Sequence, residues 1–298
     1  MTARYGFSTL GEPGIGVPRI VELARANDAL GVELRVAAGE VLDPGTTSSA
    51  GAAVGAALAE GGVVVLGLSS YVGLCAAGDA ARRRSEHADA DDSVLADLAA
   101  HIRLAAAVGA GGVRVFMKDP EAVGGPRASA PGAPDSSPPS AGELRGIARL
   151  GAIAPLCAET GVRVLIETHD SHSTAASVAR FLRLSGIQPG GHVAVIWDTA
   201  HSWTHGETPA ESLELLMPWL SHLQIKDVRS VADPVPSEPG AGSYPVAELA
   251  EALADQDWNG WAVLEWERAW HPDLTPLDTA LGATRAWAAD LFDQGASS

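Results

Sequence analysis

Cysteine is scarce in this chain of 298 residues. Cys75 and Cys157 are its two cysteines, and they stand far apart in the sequence. Two distant thiols indicate neither a disulfide framework nor a cysteine zinc knuckle. We expect both to be small apolar fillers of the core.

Positive charge and long apolar runs are also in short supply. The chain has 20 Lys and Arg against 37 Asp and Glu, a formal charge of −17. Phosphate backbones and anionic membranes attract basic proteins, so nucleic acid and membrane partners are disfavoured. No apolar run reaches the roughly 18 residues of a membrane span, and Met1–Arg4 leads directly into the strand-like Tyr5–Thr9 rather than a signal peptide. We expect a cytoplasmic protein.

Strand-like and helix-like segments alternate along the whole chain. Eight short β-branched or apolar runs read as strands: Arg4–Ser8, Val32–Val36, Val63–Leu68, Val113–Met117, Val162–Glu167, His192–Asp198, His222–Asp227 and Trp261–Glu265. The alanine-rich segments at helical spacing are Val17–Leu30, Ser48–Glu60, Ser93–Val108, Glu143–Thr160, Ala175–Ser185, Ala210–Leu220, Val246–Asp255 and Leu277–Phe292. This pattern predicts a (β/α)8 TIM barrel that occupies residues 1–298 as a single domain.

Two predicted connections are too long to be simple turns. Ser69–Asp92 follows the third strand and Asp119–Gly142 follows the fourth, so both should emerge at the carboxyl-terminal mouth of the barrel. The first is the better candidate for a lid. Its basic triplet Arg82–Arg84 is either a solvated face or a clamp for a substrate phosphate. The second is rich in proline, serine and glycine, which favours a solvated insertion.

Metal-binding residues stand near the ends of the last four predicted strands. Glu167, Asp198 and Glu265 lie at the ends of the fifth, sixth and eighth. The seventh strand offers His222 and Gln224, which share a face because side chains alternate along a strand. Such acids also cap helices, but four aligned strand ends favour a site for a hard divalent ion.

Several motifs together resemble one known family. They are V-E-L-R at Val32–Arg35, I-E-T-H at Ile166–His169, W-D-T-A-H at Trp197–His201, H-L-Q-I-K-D at His222–Asp227 and L-E-W-E-R-A-W-H-P at Leu264–Pro272. The chain resembles the xylose isomerase-like sugar phosphate isomerases and epimerases. The resemblance implies a TIM barrel with one divalent metal at its carboxyl-terminal face, most often Mn²⁺ or Mg²⁺, with Zn²⁺ or Co²⁺ as alternatives.

The resemblance also implies the metal ligands. Glu167, Asp198 and Glu265 match three of the four family positions, and the fourth, usually histidine, is Gln224 here. An amide oxygen can still bind a hard cation, and bacterial 3-dehydroshikimate dehydratases that this chain resembles use glutamine there. We predict that Gln224, and not His222, contacts the metal.

Catalytic roles follow from the same resemblance. In similar epimerases two metal-bound glutamates exchange protons with the substrate, so Glu167 and Glu265 are the predicted acid and base. His201 stands in a shared motif and is predicted to act at the site. Lys226 is a candidate to bind a carboxylate, a phosphate or a developing oxyanion, with a surface pairing to Asp227 as the alternative.

Further residues are candidates for substrate binding. Glu33 and Arg35 could bind substrate hydroxyls or form a structural ion pair inside the barrel. His169 could face the pocket, and Arg268 is a candidate contact for an anion. Trp203 could pack against a sugar ring, although core packing is the ordinary role of such a side chain.

Three functions fit these residues. The first is a metal-dependent isomerase or epimerase that acts on a sugar, sugar phosphate, cyclitol or related hydroxy-ketone through a metal-stabilised enediolate. The alternative is a lyase similar to 3-dehydroshikimate dehydratase, acting on a cyclic keto-acid. The third is a binding or scaffold barrel without activity, against which the intact carboxylates argue. The related apurinic endonucleases are disfavoured because the first four predicted strands contain no histidine. A small-molecule substrate is expected, and a homo-oligomer is possible.

Overall fold

Eight parallel strands close into a barrel in chain order, with β8 paired to β1. The computed structural model describes residues 3–77, 92–122 and 137–292. The strands are β1 (Arg4–Ser8), β2 (Gly31–Arg35), β3 (Val64–Gly73), β4 (Gly112–Phe116), β5 (Arg163–Glu167), β6 (Val193–Asp198), β7 (Leu220–Ile225) and β8 (Trp261–Leu264). The predicted (β/α)8 TIM barrel is confirmed.

Helices surround the barrel between successive strands. Within the described ranges they are α1 (Val17–Ala26), α2 (Ser48–Glu60), α3 (Ser93–Val108), α4 (Ala141–Thr160), α5 (Ala175–Ser185), α6 (Thr199–Thr204), α7 (Pro209–Leu216), α8 (Val246–Asp255), α9 (Leu277–Trp287) and α10 (Ala289–Phe292). Helices α2, α3, α5 and α8 have the predicted bounds. Helix α7 ends earlier than predicted because the chain tightens into a 3-10 turn at Met217–Trp219 before β7 begins.

The helix ends follow local chemistry. Helix α4 begins with a capping box, in which the Ser140 hydroxyl accepts from the Glu143 backbone N–H and the Glu143 carboxylate accepts from the Ser140 backbone N–H. It ends at Gly161, whose φ of 72° lies in the left-handed region that glycine adopts without strain. These signals fix the register of α4 between β4 and β5.

Alternation along the strands separates two apolar regions. Val164 and Ile166 of β5 belong to the main core, which lies between strands and helices. Leu165 packs instead with Ala194 and Ile196 in a small separate cluster inside the barrel. Because side chains alternate, the residues two positions beyond Leu165 and Ile196 also point into the barrel, at its carboxyl-terminal end.

One connection differs from the prediction. Strand β3 continues to Gly73, five residues past its predicted end at Leu68, so the segment predicted as a loop over 69–92 starts as a strand. Residues 78–91 and 123–136 lie outside the described residues. The phosphate clamp at Arg82–Arg84 and the roles of both long loops therefore stay predictions.

Two expectations from composition can be compared with the described residues. Cys75 and Cys157 are buried free thiols within the main core, as predicted. No helix within residues 3–77, 92–122 and 137–292 is long and apolar enough to cross a membrane.

Candidate metal centre and active site

The three predicted carboxylates meet at the carboxyl-terminal mouth of the barrel. Glu167 ends β5, Asp198 ends β6 and Glu265 directly follows β8. All three are buried, and one oxygen from each lies within 4.8 Å of the others. The convergence follows from the parallel barrel, which places the carboxyl ends of its strands on one face.

Gln224 of β7 lies beside these acids. It is the register partner of Asp198 and is fully buried. Its Nε2 donates to Glu33 Oε2 over 2.9 Å, while its Oε1 accepts no hydrogen bond from the described part of the chain. His222, one step deeper on the same face, has Nε2 2.8 Å from Glu33 Oε1. The Gln224 oxygen is thus available to bind a cation, whereas His222 is hydrogen-bonded to Glu33.

Lys226 is enclosed by carboxylates. Its Nζ lies 2.8 Å from Asp198 Oδ2 and 2.7 Å from Glu265 Oε2, and it also contacts Glu267. Lys226 is buried, whereas Asp227 accepts backbone N–H groups of the loop that follows β7. The alternative of a surface lysine paired to Asp227 is therefore wrong.

Arg114, a basic residue inside the barrel, was not predicted as a site residue. Arg114 is buried on β4, with Nη1 3.1 Å from Glu167 Oε2 and 3.4 Å from Glu265 Oε1. Its Nη2 donates to the backbone oxygen of Ser70 over 3.3 Å. A signal was present, because a charged residue inside the otherwise apolar run V-R-V-F must be paired when it is buried.

The local charges separate the pKa values of the acids. Burial raises the pKa of Glu167 to about 8, against the attraction of Arg114. Burial also raises the pKa of Asp198 to about 6, although Lys226 opposes the shift. For Glu265, burial would raise the pKa, but Lys226 and Arg114 outweigh it and hold the pKa far below its usual range. Without a bound cation, Glu167 therefore favours the protonated form at neutral pH, and Glu265 favours the ionised form.

The donor set fits a hard divalent cation. When all four are ionised, Glu167, Asp198, Glu265 and Glu267 carry two more negative charges than their two basic partners, Arg114 and Lys226, can balance. Glu167 Oε1 and Gln224 Oε1 are buried and accept no hydrogen bond from any described residue. Buried acceptors without partners are costly, and a cation held by oxygen ligands would satisfy them.

Two histidines stand beside the acids. His201 Nδ1 lies 2.9 Å from the Thr168 backbone oxygen, and the His201 ring contacts His169 edge-on at 4.6 Å between centroids. Burial and the nearby Lys226 lower the pKa of His201 to about 3, which favours a neutral imidazole at neutral pH. Together with Glu167, these histidines form a second group of possible ligand atoms within 4.8 Å of one another.

A cavity of about 270 Å³ opens over this centre. Five predicted site residues line it: Glu167, His169, His201, Lys226 and Glu265. Its aromatic wall comes from Tyr71, Phe116 and Trp270. The volume is close to the lower end of the range for ligand pockets, which favours a ligand with a single ring.

Other predicted substrate contacts lie outside the described lining of this cavity. Arg35 pairs with Glu40 over 2.7 Å. Arg268 donates to a backbone carbonyl over 3.0 Å, and Trp203 packs edge-on against Tyr244. Arg35 also donates to Tyr71 Oη over 2.8 Å and lies over the Trp270 ring, so it borders the aromatic wall of the cavity. Substrate-binding roles for Arg35, Arg268 and Trp203 stay predictions.

A polar cluster next to the cavity joins the segments that follow β4 and β5. Glu143 lies 3.3 Å from His172 Nε2 and forms an ion pair with Arg180. Ser140, which caps the same helix, donates to Asp119 Oδ2 over 2.5 Å. The cluster therefore anchors the start of α4 to both neighbouring segments.

We expect Glu143→Gln to lower the free energy of unfolding by about 2 kcal/mol at pH 7, because charged hydrogen bonds to a buried group are lost. Burial would raise the pKa of Glu143, but His172, the Ser140 backbone and Arg180 outweigh it and lower the pKa. The stabilisation is then present above the unfolded pKa of about 4.3 and is lost as pH falls through the lower folded pKa.

Urea denaturation of both proteins between pH 7 and pH 3 measures this effect. The difference between wild type and Glu143→Gln should shrink on the acid side. Glu121→Gln, which removes an exposed ion pair with Arg145, is the control and should cause no measurable loss. A Glu143→Gln deficit that grows with acidity would contradict the prediction.

The closed barrel and its buried acids define a TIM-barrel protein with a candidate metal site at the mouth. The family described as xylose isomerase-like TIM barrel matches residues 21–291. The chain belongs to the xylose isomerase-like TIM barrel family, as its motifs predicted.

Similar proteins include enzymes of several activities. Inosose dehydratase of Bacillus thuringiensis (strain Al Hakam) is 27% identical over 155 residues, which are 46% of this chain and 50% of that protein. The chain thus spans about half the length of this curated relative. Among solved structures, a D-psicose 3-epimerase in the presence of D-fructose has a TM-score of 0.67 and 16% identity, covering 96% of this chain and 97% of that one. An IOLI protein with a bound zinc atom has a TM-score of 0.70 and 13% identity, covering 97% of each chain. These two structures share the fold.

Proposed function

We propose that this protein is a divalent-metal-dependent enzyme that removes a proton beside a carbonyl group and then eliminates water from a polyhydroxylated ring. One observation carries the proposal. Glu167 and Glu265 lie in the same buried centre, with one carboxylate oxygen of each within 4.8 Å of the other, so two carboxyl groups can act on one substrate. Acid and base roles are commonly divided between two carboxyl groups in this way.

Glu167, Asp198, Gln224 and Glu265 are the residues that would hold the metal. Their oxygen atoms suit Mn²⁺ or Mg²⁺ first, with Zn²⁺ and Co²⁺ as alternatives. When bound, such an ion supplies positive charge that stabilises negative charge on a substrate oxygen. A small molecule is the expected partner, whereas cytoplasmic location and homo-oligomer formation stay predictions.

The acids divide the proton transfers. Glu265, ionised, accepts the proton from the carbon next to the carbonyl, and the electrons left on that carbon form the new C=C bond. The C–O bond at the neighbouring carbon breaks, and Glu167 gives a proton to the departing hydroxyl to form water and then regains a proton from solvent. Because the pKa of Glu265 is low, it is a weak base, so the reaction needs a proton made acidic by the adjacent carbonyl.

Neighbouring residues support these steps. Lys226 and Arg114 keep Glu265 ionised and fix its position. His201, which lines the cavity as a neutral imidazole, can hydrogen-bond a substrate hydroxyl. The cavity volume suits a single sugar, cyclitol or cyclic keto-acid ring better than a larger ligand.

The sequence motifs alone favour isomerisation, whereas we place dehydration first. The change rests on sequence similarity to an inosose dehydratase and on Gln224 at the position where histidine is usual. Isomerisation or epimerisation is the second candidate. This second candidate is favoured because oxygens of Glu167 and Glu265 lie within 4.8 Å of one another. One carboxyl group could then remove a proton from the substrate carbon and the other could return a proton to it. A scaffold role is disfavoured because buried acids are costly to keep without a use.

Product analysis in D₂O tests the proposal. Protein loaded with Mn²⁺ is incubated with an inosose, with 3-dehydroshikimate and with D-fructose. Dehydration gives a product lighter by one water with a new conjugated absorption, whereas epimerisation conserves the substrate skeleton and adds one solvent deuterium. We expect dehydration of one of the cyclic ketones. Epimerisation alone would select the second candidate, and no deuterium uptake or water loss from any of the three would contradict both.

A further inference from the structure

The orientation of the Gln224 amide decides whether this residue can bind a cation. An amide group has an oxygen acceptor on one branch and an NH₂ donor on the other, and only the oxygen can bind a metal ion. A carboxylate has two equivalent oxygens and no such restriction. A glutamine ligand therefore needs a group that holds its NH₂ branch away from the metal.

Glu33 of β2 is placed to supply that group. Its carboxylate is 1% exposed, and its Oε2 accepts from Gln224 Nε2 over 2.9 Å. If the amide were reversed, the Gln224 oxygen would face the Glu33 carboxylate oxygen, and the NH₂ group would face the carboxylates of the candidate metal site. Since a carboxylate accepts hydrogen bonds and does not donate them, the observed orientation is strongly favoured.

His222 in turn holds Glu33. His222 Nε2 lies 2.8 Å from the second oxygen of Glu33, and its Nδ1 lies 3.1 Å from Ser221 Oγ. Both Glu33 oxygens are thus engaged by residues of β7 across the barrel interior. This arrangement keeps Glu33 from rotating toward the cavity, whose described lining does not include it.

We propose that Glu33 is a positioning residue that fixes the Gln224 amide with its oxygen toward the metal centre. The inference rests on the proposed function, because it requires Gln224 to be a metal ligand. It assigns Glu33 a role different from the substrate binding expected from sequence, and it gives His222 a supporting part in the same hydrogen-bonded chain. Groups that orient metal ligands in this way commonly contribute 10–100-fold to metal affinity.

A double-mutant cycle tests the inference with metal affinity as the readout. Metal-free protein is titrated with Mn²⁺ by calorimetry for wild type, Glu33→Met, Gln224→Glu and the double variant. We expect Glu33→Met to weaken Mn²⁺ binding about 10–100-fold in the wild-type background. In the Gln224→Glu background, where the ligand has two equivalent oxygens, the same change should leave the affinity unchanged or improve it. Removing Glu33 there also removes a repulsive neighbouring carboxylate.

Equal losses in both backgrounds would show a merely structural role and overturn the inference, as would no loss in the wild-type background.

Gln224→Leu separates this failure from failure of the ligand assignment. If Gln224→Leu keeps full Mn²⁺ affinity, Gln224 is not a ligand and both ideas fall. If it loses affinity while Glu33→Met acts equally in both backgrounds, only the positioning role falls. Should Glu33→Met not fold by circular dichroism, Glu33→Asp replaces it. Aspartate keeps the negative charge, but its shorter side chain moves the carboxylate oxygen away from Gln224 Nε2. It should give the same pattern with a smaller loss of Mn²⁺ affinity.

Discussion

The Glu265→Ala variant is expected to lose its bound metal and to lower turnover at least about 10³-fold, because a ligand and the catalytic base disappear together. Its removal also leaves Lys226 and Arg114 without one of their carboxylate partners, so these two cations would oppose a bound cation more strongly. Elemental analysis of purified wild type and variant is the measurement. We expect about one Mn, Mg, Zn or Co per wild-type chain and close to none in Glu265→Ala.

Two further variants make this result specific. Glu251→Ala changes an exposed glutamate of α8 and should leave metal content and turnover as in wild type. Glu265→Gln keeps an oxygen that can bind metal but removes the base, so it should retain more metal than Glu265→Ala while staying inactive. A wild-type protein that holds no metal even after loading with Mn²⁺ would contradict the metal-dependent mechanism. Full metal content in Glu265→Ala would remove Glu265 from the ligand set.

The barrel could be predicted because each strand and helix carries its own signal. Alternating runs of β-branched residues and alanine-rich helices define a repeating unit, and eight such units close without a free edge. The predicted ends of strands and helices were wrong where tertiary contacts decide them. Strand β3 runs on to Gly73 because its extension pairs with Phe116 at the end of β4, a contact that no local pattern reveals.

The carboxylates of the candidate site could be predicted for a similar reason. Glu167, Asp198 and Glu265 stand at strand ends, and a parallel barrel brings such ends together whatever the loops do. The pairings of Arg114 and Lys226 were not accessible in this way. Each depends on which side chains from different strands reach the same height in the barrel interior, and that height follows from the stagger of the closed sheet.

Glu33 shows the same limit more sharply. From the sequence, Glu33 was predicted to lie near the end of a strand, with either substrate binding or an internal ion pair as its role. Its actual partners, His222 and Gln224, are 189 and 191 residues further along the chain. Only the closed barrel, in which β2 and β7 face one another across the interior, shows that Glu33 contacts Gln224 beneath the candidate metal site.

Outside the site, we expect Gly55→Ala to destabilise the protein by about 3 kcal/mol or more, an overpacking effect at the upper end of its usual range. Gly55 is buried in α2, where a Cβ atom would overlap the backbone oxygen of Val108 at the end of α3. The obstacle is backbone, which cannot rotate aside as a side chain does. The two helices would have to separate, and this would open the core beneath them.

Gly151→Ala is the matched control, since it also adds a methyl group to a helical glycine. Gly151 lies exposed in α4, and a Cβ there would meet no described atom within 4 Å. Alanine at this position should stabilise the protein by about 0.5–1 kcal/mol, because it restricts the unfolded chain and favours the helix. Urea denaturation of the three proteins therefore separates helix propensity, which improves in both variants, from close packing, which Gly55→Ala alone disrupts. Unchanged or increased stability in Gly55→Ala would show that α2 and α3 do not pack at this distance.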